Sequence, residues 1–152
     1  MDIAKFLKEA GVAFQLRKHQ EAYTAQEMAA AEHITGDAVA KPVVVHAGKK
    51  HVLCVLPASC KVDLGKLAKL LKAKKCRLAD ETELGELFPD VEVGAEPPFG
   101  KPYGLETVVD ERLTACETIA FTAGTHSQTV CMSYADYARL AEPTVADFAA
   151  RL

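Results

Sequence analysis

A loop crowded with glycine and proline contains the residue types that point most directly to chemistry. It runs Gly94-Ala95-Glu96-Pro97-Pro98-Phe99-Gly100. Glycine permits backbone angles that other residues avoid, and its bare Cα lets a ligand approach the main chain. Proline fixes φ and lacks an N–H, so carbonyl oxygens remain as the polar groups. The composition fits a tight connection between two elements, and it also fits a stiff loop that presents backbone groups to a ligand.

A lysine at the entry to an apolar hairpin is the second candidate. Lys41 precedes residues 42–46, and a second apolar, β-branched run follows at 51–56. The Ala-Gly-Lys-Lys sequence between them supplies turn chemistry, so a β-hairpin is predicted. A lysine at a strand entry is commonly a solvated residue. An ammonium group that faces a cleft could instead anchor a phosphate or a hydroxyl.

The remaining elements follow from capping residues and alternating patterns. Helices are predicted to begin at Asp2, Thr24, Asp63, Asp80, Ser133 and Thr144. Further strands are predicted at 13–18, 76–78, 105–109, 118–122 and 127–132. The strands come mostly as hairpins with helices set between them, which favours a mixed α/β sheet over alternating βαβ units.

Composition and size favour an ordinary globular domain. The chain has 152 residues, of which 49% are hydrophobic and 26% charged, so one domain spanning 1–152 is expected. No apolar run approaches the ~20 residues that cross a bilayer. The first residues do not resemble a signal peptide. The protein is therefore expected to be cytoplasmic. At this size it is also expected to be a monomer.

The cysteines and histidines do not form a recognisable catalytic or metal site. The five cysteines include no Cys-x-x-Cys pair, so they are interpreted as reduced thiols. The five histidines are scattered, without the spacing of metal ligands. No metal or cofactor is predicted. No Ser-His-Asp or Cys-His arrangement is visible either.

Positive charge is concentrated in one segment. The net charge of −3 argues against a general nucleic-acid binder. Seven of the 18 basic residues nevertheless fall between Lys61 and Arg77, where Asp63 is the only acid. The segment fits the solvated face of an amphipathic helix, and it also fits a local patch for phosphates such as an RNA backbone.

The order of these features resembles a known family. A capped helix at 24–34 precedes Lys41-Pro42-Val43-Val44-Val45, and then come a Val-Asp-Leu helix start at 62–64 and an acidic-capped helix at 80–84. The Gly94 to Pro98 loop and a Val-Val-Asp-Glu strand end at 108–111 complete the series. The set resembles the YbaK family, which is similar to the editing insertion of bacterial prolyl-tRNA synthetases. The resemblance extends from His19 to about Phe148.

The resemblance implies a fold and an activity. The fold is α/β, with a mixed, largely antiparallel sheet curled into a partial barrel and helices around it. The activity is hydrolysis, by a free-standing protein, of the ester that links a wrong amino acid to tRNA. The backbone of the Gly-x-x-x-Pro loop at Gly94 and Pro98 would position the carbonyl and the attacking water. Lys41 would hold the 3′-terminal adenosine or its phosphate.

Further candidate residues are added to Lys41 and the Gly94–Pro98 loop. They are Phe99, Gly100 and His126 for the substrate pocket, and Lys66, Lys69 and Lys72 for the acceptor stem of tRNA. An RNA base could stack on Phe99 or Tyr103, or these rings could pack beneath the loop. His126 fits a polar group in the pocket or an exposed turn residue.

Pro42 departs from the family, which more often has Thr, Ser or Asn after the lysine. It lacks an N–H that could touch substrate, and it suits only an edge position of a sheet. The departure leaves a second interpretation open, in which the fold persists without catalysis and binds tRNA or a synthetase. Hydrolysis of a small ester or thioester without tRNA is a third.

Overall fold

The structure is a computed structural model, and it describes residues 1–19, 24–32 and 34–152. The helices in this part of the chain are α1 Ile3–Glu9, α2 Ala25–Ala31, α3 Leu64–Leu70, α4 Glu81–Leu87 and α5 Tyr134–Ala141. The strands are β1 Phe14–Lys18, β2 Ala40–Ala47, β3 Lys50–Pro57, β4 Cys60–Val62, β5 Cys76–Leu78, β6 Glu106–Asp110, β7 Thr118–Thr122, β8 Gln128–Ser133, β9 Thr144–Ala146 and β10 Ala149–Arg151.

Each of these five helices begins at a predicted capping residue. The caps are Asp2, Thr24, Asp63, Asp80 and Ser133. In every case the side-chain oxygen accepts a hydrogen bond from the backbone N–H three residues later, at 2.8–3.1 Å. This bond satisfies one of the donors that a helix start leaves unpaired. Local sequence therefore fixed where these helices begin.

The β2–β3 hairpin is the centre of the largest sheet. Five strands lie in the order β5-β2-β3-β6-β9, in which β3–β6 and β6–β9 are parallel. A three-stranded sheet has the order β1-β8-β7, and β4 pairs with β10. In the described part of the chain, five strand pairings are antiparallel and two are parallel. The mixed and largely antiparallel arrangement is confirmed.

The prediction of a single sheet curled into a partial barrel is wrong. The hydrogen-bonded ladders of the described residues form three sheets, and none closes into a barrel. The five-stranded and three-stranded sheets adjoin at an isolated parallel bridge between Val39 and Ala120. Val39 lies between a 3₁₀ turn at Gly36–Ala38 and the first residue of β2. One residue is too short a segment to extend the ladder, so the sheets meet at a point.

The hydrophobic core occupies both faces of β3. Its residues from Val52 to Leu56 are all fully buried. Leu53 and Val55 pack into a cluster with the aromatic residues of the Gly94–Gly100 loop and α5. Val52, Cys54 and Leu56 pack on the opposite face, against α3 and the C-terminal segment. A continuous apolar run is the pattern of a strand that is covered on both faces.

The predicted helix at Thr144 is wrong, because this segment forms β9 and β10. Thr144 and Val145 pair in parallel with Val108 and Val109 of β6. Asp110, which is fully buried, then accepts hydrogen bonds from the backbone N–H groups of Phe148 and Ala149 at 3.0 and 2.9 Å.

Strand β10 then connects the C-terminal segment to β4, which directly follows the β2–β3 hairpin. Ala149 to Arg151 pairs with Val62 to Cys60 of β4. The contacts that fix the C-terminal segment thus come from residues 36 to 91 positions away, and local helix propensity does not take such distant contacts into account.

We predict that Asp110→Asn lowers the free energy of unfolding by about 2–4 kcal/mol. Both carboxylate oxygens accept from N–H donors, because Oδ1 also faces the backbone N–H and the guanidinium of Arg112. An amide must turn its NH₂ group toward one of these donor sets. Urea denaturation measures the loss. Asp147→Asn is the matched control, since that carboxylate is about half exposed and should cost under ~1 kcal/mol. Equal effects would contradict the role of Asp110.

Candidate functional site

A hollow of about 340 Å³ lies beside the free part of β2. Its walls come from the start of α2, residues 39–44, the end of β5 and the Gly94 loop. The described lining is mostly apolar, and Lys41 and Glu96 are its charged residues. A concave, mostly apolar space with few polar groups is the usual form of a small-molecule site.

Strand β2 opens this hollow because, in the described part of the chain, only three of its eight residues pair with a strand on the outer side. β5 pairs with Val45, His46 and Ala47 and extends no further along β2. At Pro42 the strand pairs with β3 alone, so the missing N–H leaves no ladder bond unmade. The predicted edge position of Pro42 is confirmed. The uncovered stretch, which carries Lys41 and Pro42, forms part of the wall.

Lys41 belongs to the lining of the hollow, and a hydrogen bond holds its ammonium group in place. Its Nζ donates a hydrogen bond to the backbone carbonyl of Cys60 at 2.6 Å. Burial of the side chain lowers the pKa of Lys41 below its ordinary value. An ammonium has three donors, so the bond to Cys60 leaves capacity for a ligand.

Gly94 lines the same hollow and needs to be glycine. Its φ of +91° lies in the left-handed region, where a side chain would be strained. Its N–H donates to Oε1 of Glu96 at 2.9 Å. The structure therefore brings Lys41 and Gly94, far apart in sequence, to one hollow.

Pro98 is placed differently from Gly94. It is buried, it is not among the described residues that line the hollow, and its carbonyl accepts a hydrogen bond from the Tyr137 hydroxyl at 2.7 Å. Burial raises the pKa of Tyr137, so the hydroxyl stays protonated and remains a donor. This carbonyl is committed to the core, and Pro98 anchors the far end of the loop.

Phe99 and Gly100 continue this anchor. The Phe99 ring is 1% exposed, with Phe6, Tyr137 and Phe121 at centroid distances of 5.3, 5.1 and 5.7 Å. The alternative in which an RNA base stacks on this ring is therefore wrong, because neither face of the ring is accessible. Gly100 donates to Thr107 Oγ1 at 3.0 Å, and a Cβ there would lie 2.5 Å from the same oxygen. Both residues secure the loop and neither lines the hollow.

His126 braces the segment that enters the loop. It is 7% exposed. Its ring Nε2 donates to the Val93 carbonyl at 2.9 Å, and its backbone N–H donates to Glu92 Oε2 at 3.0 Å. The alternative of an exposed turn residue is wrong. The bonds hold the residues immediately before Gly94, whereas a contact with substrate stays a prediction.

Basic residues surround a second hollow of about 660 Å³. It is lined by four basic residues and by His46; the basic residues are Lys72, Lys74, Lys75 and Arg77. Lys66 and Lys69 are exposed on α3 but do not line it, and Lys66 lies 3.5 Å from Asp147. The two hollows adjoin along β5, because Cys76 and Arg77 belong to one and Leu78 and Ala79 to the other.

Glu96 is the site residue that sequence reasoning missed. It is 5% exposed and lines the first hollow. An acid between glycine and two prolines was the available signal, because a stiff loop that carries one charged side chain presents it in a fixed place. The sequence pattern identifies the loop that contains Glu96, but it assigns a role only to the backbone of that loop.

No group of three or more His, Cys, Asp or Glu side chains in the described ranges is arranged to hold a metal ion. Within the same ranges, no helix has both the length and the apolar character needed to cross a membrane.

The profile of the aminoacyl-tRNA editing domain matches residues 19–140, which is more than half of the chain. The chain belongs to this family. The multifunctional Ser/Thr-tRNA deacylase ProXp-y of Escherichia coli K12 is 37% identical over 100 residues, which cover 65% of this chain and 59% of the relative. The prolyl-tRNA editing protein ProX of Acetoanaerobium sticklandii is 28% identical over 144 residues, which cover 91% of this chain and 87% of ProX.

Solved structures show the same fold. The hypothetical protein APE2540 superposes with a TM-score of 0.89 at 22% identity, over 99% of this chain and 100% of that one. A protein provisionally described as a trans-editing enzyme for prolyl-tRNA synthetase superposes with a TM-score of 0.82 at 23% identity, over 97% and 94% of the two chains.

We predict that Tyr137→Phe lowers the free energy of unfolding by about 1–2 kcal/mol, because the buried Pro98 carbonyl loses its donor. Chemical denaturation checks this value. Tyr134→Phe serves as control, since the Tyr134 hydroxyl has no hydrogen bond within the described residues and its loss should cost under ~0.5 kcal/mol. Identical stabilities of the two variants would show that the hydroxyl does not hold the loop.

Proposed function

We propose that this chain hydrolyses the ester bond of mischarged aminoacyl-tRNA. The observation that carries the proposal is the shared hollow of Lys41 and Gly94 in a member of the editing family. The names of the two relatives, a Ser/Thr-tRNA deacylase and a prolyl-tRNA editing protein, support this substrate class. The first of them is matched over 59% of its length, so its whole activity is not assumed for this chain.

The reaction needs orientation more than strong acid–base groups. An aminoacyl ester is already activated, and orienting water against its carbonyl can contribute roughly 7–11 kcal/mol. In the described chain, the Gly94 carbonyl and the Glu96 amide take part in no hydrogen bond. In the proposed reaction, the carbonyl accepts from the attacking water and the amide donates to the developing oxyanion. This role falls to the Gly94 end of the loop, since Tyr137 occupies the Pro98 carbonyl.

Lys41 holds the 3′-terminal adenosine in this proposal. Lys41 is a lining residue of the hollow, and its ammonium is oriented by the Cys60 carbonyl. A charge with a fixed position and reduced solvation interacts more strongly with a phosphate than a free surface lysine does. Lys41 thus anchors the RNA end while the Gly94 loop acts on the ester.

The basic segment guides the rest of the RNA. Lys66, Lys69 and Lys72 are exposed, and the hollow beside Lys72 adjoins the first hollow along β5. RNA whose 3′ end occupies the first hollow would meet positive charge on leaving it. Lys66, Lys69 and Lys72 supply sequence-independent attraction to phosphates.

We predict that Lys41→Ala reduces kcat/KM for a mischarged tRNA by about 10- to 100-fold, the value of a hydrogen bond to a charged group. The assay incubates the purified protein with alanyl-, cysteinyl-, seryl- and threonyl-tRNA and follows loss of the amino acid. Lys49→Ala is the matched control, because Lys49 lies exposed in the turn of the same hairpin. It should leave turnover unchanged.

Unchanged turnover in Lys41→Ala would remove Lys41 from the mechanism. Binding of the panel without any hydrolysis by the unmodified protein would overturn the proposed activity in favour of a binding module. Hydrolysis of a free aminoacyl nucleoside as rapidly as full tRNA would show that the RNA body plays no part.

We predict that replacing Lys66, Lys69 and Lys72 together by Gln weakens tRNA binding and lowers the slope of log K against log salt by roughly 2–3, about one for each phosphate contact. Filter binding at several salt concentrations measures the slope. The control replaces Lys5 and Lys8, which are exposed on α1. An equal change in the control would mean that α3 has no special place in binding.

A further inference from the structure

Glu96 is a buried acid in an otherwise apolar part of the hollow. It is 5% exposed, and it is the acidic side chain among the described lining residues. Its Oε1 accepts the N–H of Gly94 at 2.9 Å. Oε2 has no hydrogen-bond partner within the described residues, and it is not among the polar atoms sealed from solvent. One oxygen is therefore held by the loop, and the other is open to a ligand.

No cation of the described residues is paired with this carboxylate. No ion pair to Glu96 occurs in the described part of the chain, and the Lys41 ammonium is bonded to the Cys60 carbonyl. A carboxylate withdrawn from water without a cation is costly. A ligand that brings a positive group into the hollow would offset this cost, so the site is suited to a cationic ligand group.

We propose that Glu96 binds the α-ammonium group of the aminoacyl ester, an inference that rests on the proposed function. The charged end of aminoacyl-tRNA carries one cation, the α-ammonium, close to an anionic phosphate. The hollow carries one anion and one cation that are not paired with each other. Glu96 is bonded to Gly94, whose backbone faces the ester in the proposed reaction. The α-ammonium, attached to the carbon next to the ester carbonyl, therefore meets Glu96, while Lys41 meets the phosphate.

This contact defines a substrate class. The chain acts on esters with a free α-amine and discriminates against esters in which that group is acylated or replaced by a neutral one. Peptidyl-tRNA and N-formylated aminoacyl-tRNA belong to the second group. Deacylation is therefore confined to tRNA whose amino acid is not yet part of a peptide and still has a free α-amine. A site built to pair with a polar substrate group rejects the analogue that lacks it, because the buried protein group is left unpaired.

The test compares the best aminoacyl-tRNA of the panel with its α-hydroxy counterpart, in which a hydroxyl of similar size replaces the ammonium. Each rate is divided by the spontaneous hydrolysis rate of the same ester. For the unmodified protein we expect kcat/KM to favour the ammonium substrate by about 10- to 100-fold. Glu96→Gln keeps an acceptor for the Gly94 N–H and removes the charge. The preference should fall to under about 3-fold in this variant.

Glu86→Gln is the matched control. Glu86 lies exposed on α4 and does not line the hollow, so this variant loses the same charge and should keep the full preference. Thermal melting reports whether each variant folds. If Glu96→Gln does not fold, the ratio of the two rates for the unmodified protein still decides whether the hollow prefers an ester with an α-ammonium group.

Equal rates on the two esters by the unmodified protein would overturn the role of Glu96 and leave the deacylase activity standing. An equal loss on both substrates in Glu96→Gln would also overturn it, since Glu96 would then act on the loop or on water. Failure to hydrolyse any aminoacyl-tRNA would defeat the proposed function, and the inference with it.

Discussion

The hydrogen bond from Tyr137 to the Pro98 carbonyl is the constraint on which the candidate site depends. With the buried Phe99 ring and the Gly100–Thr107 contact, it fastens one end of the glycine–proline loop to the core. The other end, at Gly94, lies at the hollow, where the Gly94 carbonyl and the Glu96 amide have no hydrogen bond within the described residues. A loop that is fastened at Pro98, braced by His126 before Gly94 and stiffened by two prolines can present those groups with little conformational freedom. Such preorganisation is what orientation-based catalysis requires.

The hollow exists because β5 is short. Three residues of β5 pair with β2 from Val45 to Ala47, and the Ala79 N–H donates to the Val44 carbonyl at 2.9 Å. No strand of the described residues pairs with the earlier part of β2 on that side. In a longer strand the ladder would fill the space that Lys41 and Pro42 now line. Proline is tolerated at this edge, where it also blocks pairing with another chain. The departure of Pro42 from the family pattern is therefore compatible with the architecture of the site.

The sequence predicted most of the features that depend on local contacts. The capping residues of five helices and the β2–β3 hairpin were correct, because each depends on neighbours within a few positions. The strands after Thr144 were missed, since Asp110 and β6 set their course from far along the chain. The loop was identified, but its division into an anchored end at Pro98 and an open end at Gly94 was not. That division depends on Tyr137, whose position follows from tertiary packing.

The Lys41 ammonium owes its orientation to a carbonyl of β4, and β4 is held by β10. β10 is fastened in turn through the buried Asp110, which accepts from Phe148 and Ala149. A mechanical linkage thus connects the end of β6 to the lysine through two short strands. Substitutions at residues 148–151 would disturb the position of the Lys41 ammonium, although none of these residues is part of the described lining of the hollow. Under the proposed function, substitutions in these two strands would accordingly weaken deacylation without changing the loop.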